Sequence, residues 1–396
     1  MSNRDVVVVS YARTPFGRLG GGLKSLKAVD LGAHAIKGAL DRINLDPKKV
    51  DYVYLGQVLQ GGNGQQPARQ ATIKAGLDWE TPAILVNKVC SSGIIAVQQA
   101  FMRIKLGMSE IVVAGGMESM TNAPYFLPDE RWGARMGDKK VVDLMVHDGL
   151  WCPFYDRHMA VHGSEVSKEY EISRESQDEL ALRSQKLAAE AMENGNLKGQ
   201  IVPVELKDKK GRITLVENDE SPRKDASLEE MSKLPPIFVK DGSVTAGNAP
   251  GVNDGAAALV LMSREKADEL GLKVLATILD YAEVSQEAKY IATVPGLATK
   301  KLLEKNNMTV DEIDYFEVNE AFAAVALVSQ KIAGFDLEKT NVFGGAIAFG
   351  HPIGATGARI VMNLIEVLKQ KGGKYGVAAI CSGAAQGDAL LLKLEN

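Results

Sequence analysis

Residues 83–116, AILVNKVCSSGIIAVQQAFMRIKLGMSEIVVAGG, indicate the fold class of this chain. The apolar run Ala83–Val89 predicts a buried strand, and a helical pattern then runs from Cys90 to about Leu106. A second apolar run, Glu110–Gly115, predicts another strand after a short turn. Strand, helix and strand in this order are typical of a layered α/β fold, and we expect a largely parallel sheet.

The same alternation extends from this stretch toward both ends of the chain. Before it, the pattern predicts strands at Val6–Val9 and Asp51–Gly56 and helices at Leu31–Asp41 and Ala68–Ala75. After it, strands are predicted at Ala256–Met262, Val274–Val284, Asp314–Val318, Val377–Cys381 and Ala389–Leu394, and helices at Gly296–Lys305, from Asn319, and at Gly354–Gln370. Both ends share one order of elements, which suggests a duplicated fold.

The middle of the chain, residues 121–249, has a different character, with more charge and more loops. Asp178–Asn194 predicts a helix, whereas Lys207–Arg212 is polar and irregular. We interpret this region as a loop domain on the sheet core. A disordered linker is the alternative, but the apolar residues Leu234 and Phe238 favour packing.

Composition excludes several classes of protein. The 396 residues are 45% hydrophobic and 24% charged, which predicts a globular chain of two or three domains. A formal net charge of −4 gives no basic field for nucleic acid, and no apolar run approaches the length of a membrane span. The three cysteines are widely spaced and form no CxxC pair. We therefore expect reduced thiols, a cytoplasmic location and no metal site.

Cys90 is the first candidate for chemistry, because it stands between a strand and a helix. A thiol at a helix start meets the positive end of the helix dipole and free backbone N–H groups. Both favour the nucleophilic thiolate. A buried core cysteine is the alternative, and position alone does not separate the two.

His351 is the second candidate, within NVFGGAIAFGHPIGATGAR at residues 341–359. Closely spaced glycines allow the backbone to approach a ligand, and Pro352 holds the histidine in an extended or turn conformation. The phosphate-loop and dinucleotide-binding patterns are both absent, so a general base is the better interpretation. A histidine with a purely structural role remains the alternative.

Two further polar positions stand at the ends of apolar strands. Cys381 ends one strand in CSGAAQG, residues 381–387, and Gly383 offers an unhindered N–H two residues later. Asn319 lies at a strand-to-helix junction in NEAFA, where the alternative is a simple helix N-cap.

Taken together, six motifs resemble the thiolase family, most closely its short-chain biosynthetic members, over nearly the whole chain. The motifs are VNKVCSSG, GGMESM, TAGNAPGVNDGAAAL, NEAFA, GGAIAFGHPIGATGAR and CSGAAQG. The resemblance implies a duplicated βαβαβαββ fold in five layers with an inserted loop domain. It places the N-terminal half at 1–120 plus 250–273, a loop domain for coenzyme A binding and tetramer contacts at 121–249, and the C-terminal half at 274–396.

The resemblance also implies an activity, the reversible Claisen condensation of two acetyl-CoA to acetoacetyl-CoA and CoA. Cys90 would carry the acetyl group, His351 would take its proton, and Cys381 would act as acid or base on the α-carbon. One oxyanion hole would use His351 and a water held by Asn319. The other would use the N–H groups of Cys90 and Gly383.

Coenzyme A enters as substrate and product, and no cofactor is expected. The resemblance places its pantetheine arm beside His158, Ala246, Gly247 and Phe322, and its adenine end near Arg223, Leu234 and Phe238. Met159 would shorten the acyl pocket, which favours acetyl and acetoacetyl groups. The thiolase partners would be acetyl-CoA, acetoacetyl-CoA, CoA and three further copies of the chain in a homotetramer with contacts from Thr121–Asp143, without nucleic acid or membrane.

Three positions depart from the family pattern. Pro250 replaces a serine that hydrogen-bonds the pantetheine, and proline offers neither hydroxyl nor N–H. Ala384 and Ala385 stand in a turn that is usually glycine-rich, which implies backbone angles that an L-residue tolerates. The segment around Ile291 is also altered. All three affect surroundings and none removes a catalytic group.

Three alternatives remain at this point. A degradative thiolase would cleave longer 3-ketoacyl thioesters with the same residues. A carrier-protein-dependent ketosynthase would use one cysteine and two histidines, which Cys381 argues against. A non-catalytic thiolase-like protein that binds CoA or lipid would lack part of the set formed by Cys90, Asn319, His351 and Cys381.

Overall fold

A computed structural model describes residues 4–395, and its centre is a long mixed sheet. The nine main strands are β1 (Val6–Arg13), β2 (Tyr52–Gly56), β3 (Ala83–Val86), β4 (Ile111–Ser119), β5 (Asn253–Ser263), β6 (Ala276–Ser285), β7 (Tyr315–Val318), β8 (Tyr375–Ser382) and β9 (Gln386–Leu394). Their order is β7-β8-β9-β6-β1-β5-β4-β2-β3, and the two-residue strand Gly17–Arg18 pairs with β5.

The prediction of a largely parallel sheet is wrong. Only the outer pairs, β2 with β3, β2 with β4, and β7 with β8, are parallel. The inner strands β4, β5, β1, β6, β9 and β8 pair antiparallel along the row. Each half ends with two strands that pair antiparallel with each other, and its last strand also pairs antiparallel with its first. Helical crossovers, which produce parallel pairs, therefore join only the outer strands.

Helices cover both outer faces of the sheet, and further helices lie between its two parts. They are α1 (Ala28–Asp41), α2 (Pro67–Lys74), α3 (Ser92–Lys105), α4 (Met159–Glu169), α5 (Arg174–Glu193), α6 (Leu228–Ser232), α7 (Arg264–Glu269), α8 (Val294–Lys305), α9 (Ala323–Ala333), α10 (Ala346–Phe349) and α11 (Ile353–Lys371). Short 3₁₀ turns occur at Pro47–Lys49, Glu130–Trp132, Val310–Glu312 and Leu337–Lys339, and a π-helical turn at Met145–Leu150.

The buried clusters define five layers. One cluster joins α1 and α2 to strands of the first half. The central cluster joins α3 and α11 to strands of both halves, so these two helices lie between the two parts of the sheet. A third cluster joins α8 to β7, β8 and β9 on the far side. Apolar residues on both faces of β1, β4 and β5 are therefore buried, as in sheets covered by helices.

The two halves repeat one structural unit, but the second half lacks a full strand that the first half has. Both first strands carry an irregularity in register, between Val8 and Ser10 in β1 and between Ile278 and Asp280 in β6. The first half has a full third strand, β3, whereas the second half has only a single parallel bridge between Phe316 and Thr340 at the matching place.

Residues 120–252 connect β4 to β5, two strands that pair directly with each other. This connection carries α4, α5, α6 and three small antiparallel pairs: Tyr125–Phe126 with Val142–Asp143, Trp151–Cys152 with Arg157–His158, and Val204–Lys207 with Ile213–Val216. The stretch predicted as irregular at 207–212 is thus the turn of a hairpin. The domain boundaries themselves stay a prediction.

No helix within residues 4–395 combines the length and apolar character needed to cross a membrane.

Candidate active site

An apolar cavity of about 280 Å³ lies where turns from both halves meet. Cys90 reaches it from the turn between β3 and α3, His351 from the start of α11, and Gly383 from the turn between β8 and β9. The connection between β4 and β5 supplies much of the opposite wall, including His158, Met159, Phe238 and Pro250. Phe322 also lines this cavity.

A second cavity of about 640 Å³ adjoins the first and opens on the surface. The two share five lining residues from Ile237 and from 249–252, so they form one channel. Of the residues predicted to hold coenzyme A, the outer cavity is lined by Arg223, Leu234, Ala246, Gly247 and Pro250. The structure therefore arranges all nine predicted coenzyme A residues along one passage that ends at Cys90.

A strained turn presents Cys90 to the cavity. Val89, directly before it, has φ of 46°, which is rare for a β-branched residue. The turn is held by the Ser92 hydroxyl, which donates to the Val89 carbonyl at 2.6 Å and accepts from the Lys88 N–H at 2.9 Å. Helix α3 begins at Ser92, two residues later than the pattern predicted. Such strain persists only where the surroundings enforce it, as at functional sites.

Burial determines the protonation of Cys90. It raises the pKa of the thiol to about 12, while the N–H groups of Gly383 and of Cys90 itself act in the lowering direction. The expectation that the helix start alone would favour the thiolate is therefore wrong for the resting site. Cys90 is a neutral thiol at neutral pH and needs a base.

His351 has the geometry of such a base. Its backbone N–H donates to Asn253 Oδ1 at 3.0 Å, and its Nδ1 lies 2.7 Å from Thr356 Oγ1. Because the Thr356 hydroxyl donates to the Pro352 carbonyl at 3.0 Å, Nδ1 carries the proton that Thr356 accepts. Nε2 is buried and has no hydrogen-bond partner among residues 4–395. Burial lowers the pKa of His351 to about 3, so the ring is neutral with a free lone pair on Nε2.

Cys381 is completely buried, and the next residue, Ser382, donates through its hydroxyl to the Lys88 carbonyl in the turn that carries Cys90. Burial raises the pKa of the Cys381 thiol well above the ordinary value, and the charge of Cys90 acts in the same direction. Asn319 is also buried, and within the described residues neither Oδ1 nor Nδ2 has a partner. The N-cap of α9 is Phe322, so the alternative of Asn319 as N-cap is wrong.

The turn after Cys381 is more strained than predicted. Ala384 and Ala385 have φ of 62° and 50°, both in the left-handed region. The expectation of angles that suit an L-residue is wrong, because Ser382 pairs with Gln386 and three residues must close the hairpin. Each alanine there costs roughly 1 kcal/mol relative to an ordinary conformation.

The glycines around His351 lie against other parts of the chain, Gly345 and Gly350 against the side chains of Glu320 and Asn253, and Gly357 against backbone. A Cβ at Gly357 would lie 2.3 Å from the Ile94 nitrogen, and one at Gly93 would lie 2.7 Å from the Ala358 nitrogen. The starts of α3 and α11 therefore cross in contact, which brings Cys90 and His351 to one place.

Two positioning side chains were missed although their motifs, GGMESM and GVNDG, were recognised. Glu118 is buried and accepts from the N–H groups of Val58, Leu59 and Gly354 at 3.0 to 3.1 Å, which fixes the start of α11. Asn253 holds the backbone of His351 through its Oδ1 atom. Both side chains act on backbone that is distant in sequence, so neither role had a local signal.

His158 and Phe238 both line the inner cavity. Their rings stack with centroids 3.8 Å apart and an angle of 14° between planes. Burial lowers the pKa of His158 to about 4, so this ring is neutral and offers an uncharged surface. Phe238 has φ of 65°, a further strained residue along the channel.

Comparisons with known proteins agree with this geometry. The family models for the thiolase N-terminal and C-terminal domains match residues 6–265 and 272–394. The chain is 49% identical to an acetyl-CoA acetyltransferase of Cupriavidus necator over 98% of this chain and 99% of that one. It is 46% identical to acetyl-CoA acetyltransferase 1 of Arabidopsis thaliana, over 99% and 95%.

A solved structure extends the likeness to three dimensions. The crystal structure of the Bacillus anthracis acetyl-CoA acetyltransferase matches with a TM-score of 0.96 and 41% identity, covering 99% of both chains. The predicted fold class and family resemblance are thereby confirmed. This chain belongs to the thiolase family.

Proposed function

We propose that this protein is an acetyl-CoA C-acetyltransferase, which joins two acetyl-CoA into acetoacetyl-CoA and CoA and also runs the reverse reaction. The observation that carries the proposal is the meeting of Cys90, His351 and Gly383 on one cavity wall, with the buried Cys381 in the strand whose last residue, Ser382, donates to the Cys90 turn. The names of the relatives in C. necator and A. thaliana support the choice of substrate.

In the first step, the neutral Cys90 thiol attacks the thioester carbonyl of acetyl-CoA. Its proton passes to Nε2 of His351, which has the free lone pair, and a bond forms between the sulfur and the carbonyl carbon. The carbonyl oxygen becomes an oxyanion, and the N–H groups of Cys90 and Gly383 are the donors that stabilise it. The bond to CoA then breaks, and the leaving CoA thiolate takes the proton of Cys381, which becomes a thiolate, while His351 keeps the proton on Nε2.

In the second step, Cys381 as thiolate removes a proton from the α-carbon of another acetyl-CoA. The thiol pKa, high above that of a carboxylate, suits abstraction from carbon. The negative charge moves to the thioester oxygen, for which His351 and a water on the unpartnered Asn319 amide are the donors. The carbanion attacks the acetyl group, a carbon–carbon bond forms, and the bond to Cys90 breaks. The Cys90 thiolate then takes back the proton held on Nε2 of His351.

The channel supports the path proposed for coenzyme A. The acyl group and pantetheine arm would occupy the inner cavity beside His158, Met159 and Phe322, and the nucleotide end would lie outside near Arg223 and Leu234. Pro250 lines both cavities and supplies an apolar contact where serine would donate. The homotetramer and the cytoplasmic location remain predictions, and a mass measurement in solution tests the first.

The first experiment locates the covalent intermediate. Incubation with labelled acetyl-CoA is expected to place the label on Cys90, and peptide mass spectrometry identifies the site. Cys152→Ser is the matched control, since Cys152 is buried but does not line the cavity. Label on Cys152 in the wild-type protein would refute the assignment.

The second experiment separates the two cysteines and the two chain-length classes. Cys381→Ser is expected to keep acetylation of Cys90 while condensation collapses; equal loss of both half-reactions would contradict separate roles. A steady-state assay in both directions is expected to favour acetoacetyl-CoA. Faster thiolysis of ketoacyl-CoA with eight or more carbons would instead identify a degradative thiolase.

A further inference from the structure

A buried ion pair lies directly behind the turn that carries Cys90. Lys88 Nζ donates to Asp388 Oδ1 at 2.8 Å and to Glu283 Oε1 at 2.7 Å. The Asp388 side chain is fully buried, while that of Glu283 is about half exposed. Lys88 belongs to the Cys90 turn and Asp388 to strand β9, so the pair connects the two halves of the molecule.

The same carboxylate also faces the residue on the other side of Cys90. The Ser91 hydroxyl and Asp388 Oδ2 are both buried, and within residues 4–395 neither atom has a hydrogen-bond partner. Burial raises the pKa of Asp388, while Lys88 and the Ser91 hydroxyl act in the lowering direction. Asp388 therefore interacts with Lys88 and Ser91, the residues directly before and after the strained Val89 and the nucleophile Cys90.

Two contacts tie the Gly383 turn to the same place. The Ser382 hydroxyl donates to the backbone carbonyl of Lys88. The Val89 side chain packs on Gly383 so closely that a Cβ there would lie 3.3 Å from both Val89 methyl carbons. Both turns hold non-glycine residues at positive φ, so each needs its surroundings to keep its shape.

We propose that Asp388, acting through Lys88 and Ser91, is a positioning residue that fixes the distance between the N–H groups of Cys90 and Gly383. The proposal rests on the function proposed above, in which these two N–H groups stabilise the oxyanion formed at Cys90. The charge on Asp388 does not need to reach the substrate, because its action is to hold one turn against the other.

Loss of the ion pair is therefore expected to lower the rate of Cys90 acetylation without weakening the binding of acetyl-CoA. The pair lies behind the cavity wall and lines neither cavity, so its loss leaves the coenzyme A contacts in place. A displacement of the donors by about 1 Å is enough to slow a reaction about 10²-fold. We therefore expect slower acetylation of Cys90 at saturating acetyl-CoA with little change in KM.

The test measures the rate of Cys90 acetylation by rapid quench and mass spectrometry, together with KM and Tm. Lys88→Met is expected to slow acetylation about 10²-fold, and Lys88→Arg to restore most of the rate. Ser91→Ala, which removes only a hydroxyl, is expected to slow it about 10-fold and decides the question if Lys88→Met does not fold. Lys305→Met is the matched control, because Lys305 pairs with Asp280 on the outside of β6 and its loss leaves the rate unchanged.

The outcomes separate this inference from the proposed function. If the wild-type protein acquires no acetyl group on Cys90, the proposed function falls and the inference falls with it. If the wild-type protein is acetylated and both Lys88→Met and Ser91→Ala react at its rate, the inference alone is overturned. Slow acetylation with unchanged KM in Ser91→Ala supports it.

Discussion

The two halves of the molecule use the same position in different ways. Each sends one helix into the central layer, α3 from the first and α11 from the second, and each helix starts at the cavity. The thiol of Cys90 stands just before α3, and the imidazole of His351 stands just before α11. The two helix starts thus occupy equivalent places in the two halves, and the proposed function assigns the nucleophile to one and the base to the other.

The halves differ most in the segment after the next strand. After β4, the first half inserts residues 120–252, which form much of the channel wall. After β8, the second half turns within residues 383–385 and leaves Gly383 pointing at Cys90. In the proposed function the long insertion recognises the substrate and the short turn takes part in the chemistry, and the substitutions proposed below test this division.

The largest effect is expected from His351→Gln, which removes the base and nearly keeps the size of the side chain. General-base catalysis typically contributes 10²- to 10⁴-fold, so kcat for acetyl transfer is expected to fall about 10³-fold. Stopped-flow or rapid-quench acetylation measures it. Thr356→Ser is the matched control, because it keeps the hydroxyl beside Nδ1 and is expected to retain the wild-type rate within a few-fold.

The pH profile sharpens the same prediction. The pKa of His351 is lowered to about 3, so its neutral, basic form persists as pH falls through 6.5. The rate of Cys90 acetylation is therefore expected to show no loss centred at pH 6.5, the ordinary value for histidine. A step there that disappears in His351→Gln would contradict the buried, neutral ring.

Gly357→Ala tests the contact between the two central helices. Its Cβ would meet the backbone of α3, which has no room to move, so we expect a free energy of unfolding lower by about 3 kcal/mol. Gly93→Ala, its counterpart on α3, is expected to act in the same direction. Urea unfolding measures both, with Gly251→Ala as control, because nothing but Asn253 Oδ1 at 3.7 Å lies near that position.

Met159→Ala tests the role of the insertion in chain-length preference. Removal of this side chain enlarges the inner end of the channel, so kcat/KM for a six-carbon ketoacyl-CoA relative to acetoacetyl-CoA is expected to rise about 10-fold. Met108→Ala, at an exposed methionine, leaves the ratio unchanged. An unchanged ratio in Met159→Ala would mean that other residues set the acyl length.

Ala384→Gly tests the short turn and has the smallest expected effect. Glycine adopts φ of 62° without strain, so the free energy of unfolding is expected to rise by about 0.5 kcal/mol after the entropy of the unfolded chain is subtracted. Ala134→Gly, an exposed residue outside the left-handed region, is expected to be slightly destabilising. Urea unfolding of both variants and the wild-type protein measures whether each substitution raises or lowers the free energy of unfolding.

Local pattern was sufficient to predict most elements, whereas most residues that gather at the cavity were predicted through the resemblance to the thiolase family. Strand β8 and helix α11 begin and end within two residues of the predicted bounds. Whether two strands pair parallel or antiparallel was not predictable in the same way, because β1 pairs with β5 and β6, which lie more than 200 residues later in the chain. Hydrophobic periodicity indicates which face of a strand is buried, but it carries no information about which other strand pairs with it.

The surroundings of the two thiols also lay beyond local pattern. The helix start at Cys90 was visible in sequence, but the burial that raises the pKa to about 12 depends on the connection between β4 and β5. Lys88 and Asp388 are 300 positions apart, so their pairing had no local signal. The strain at Ala384 arises from the hairpin closure and not from alanine itself.

The pairing of β4 with β5 has a consequence for biosynthesis. While residues 120–252 are still being made, β4 has no partner on its β5 side, although all nine of its residues are buried in the finished protein. Closure of that sheet must wait until about residue 263 has emerged from the ribosome. A nascent chain halted earlier would expose an apolar strand edge, which makes chaperone dependence and aggregation of truncated chains the expected cost of this topology.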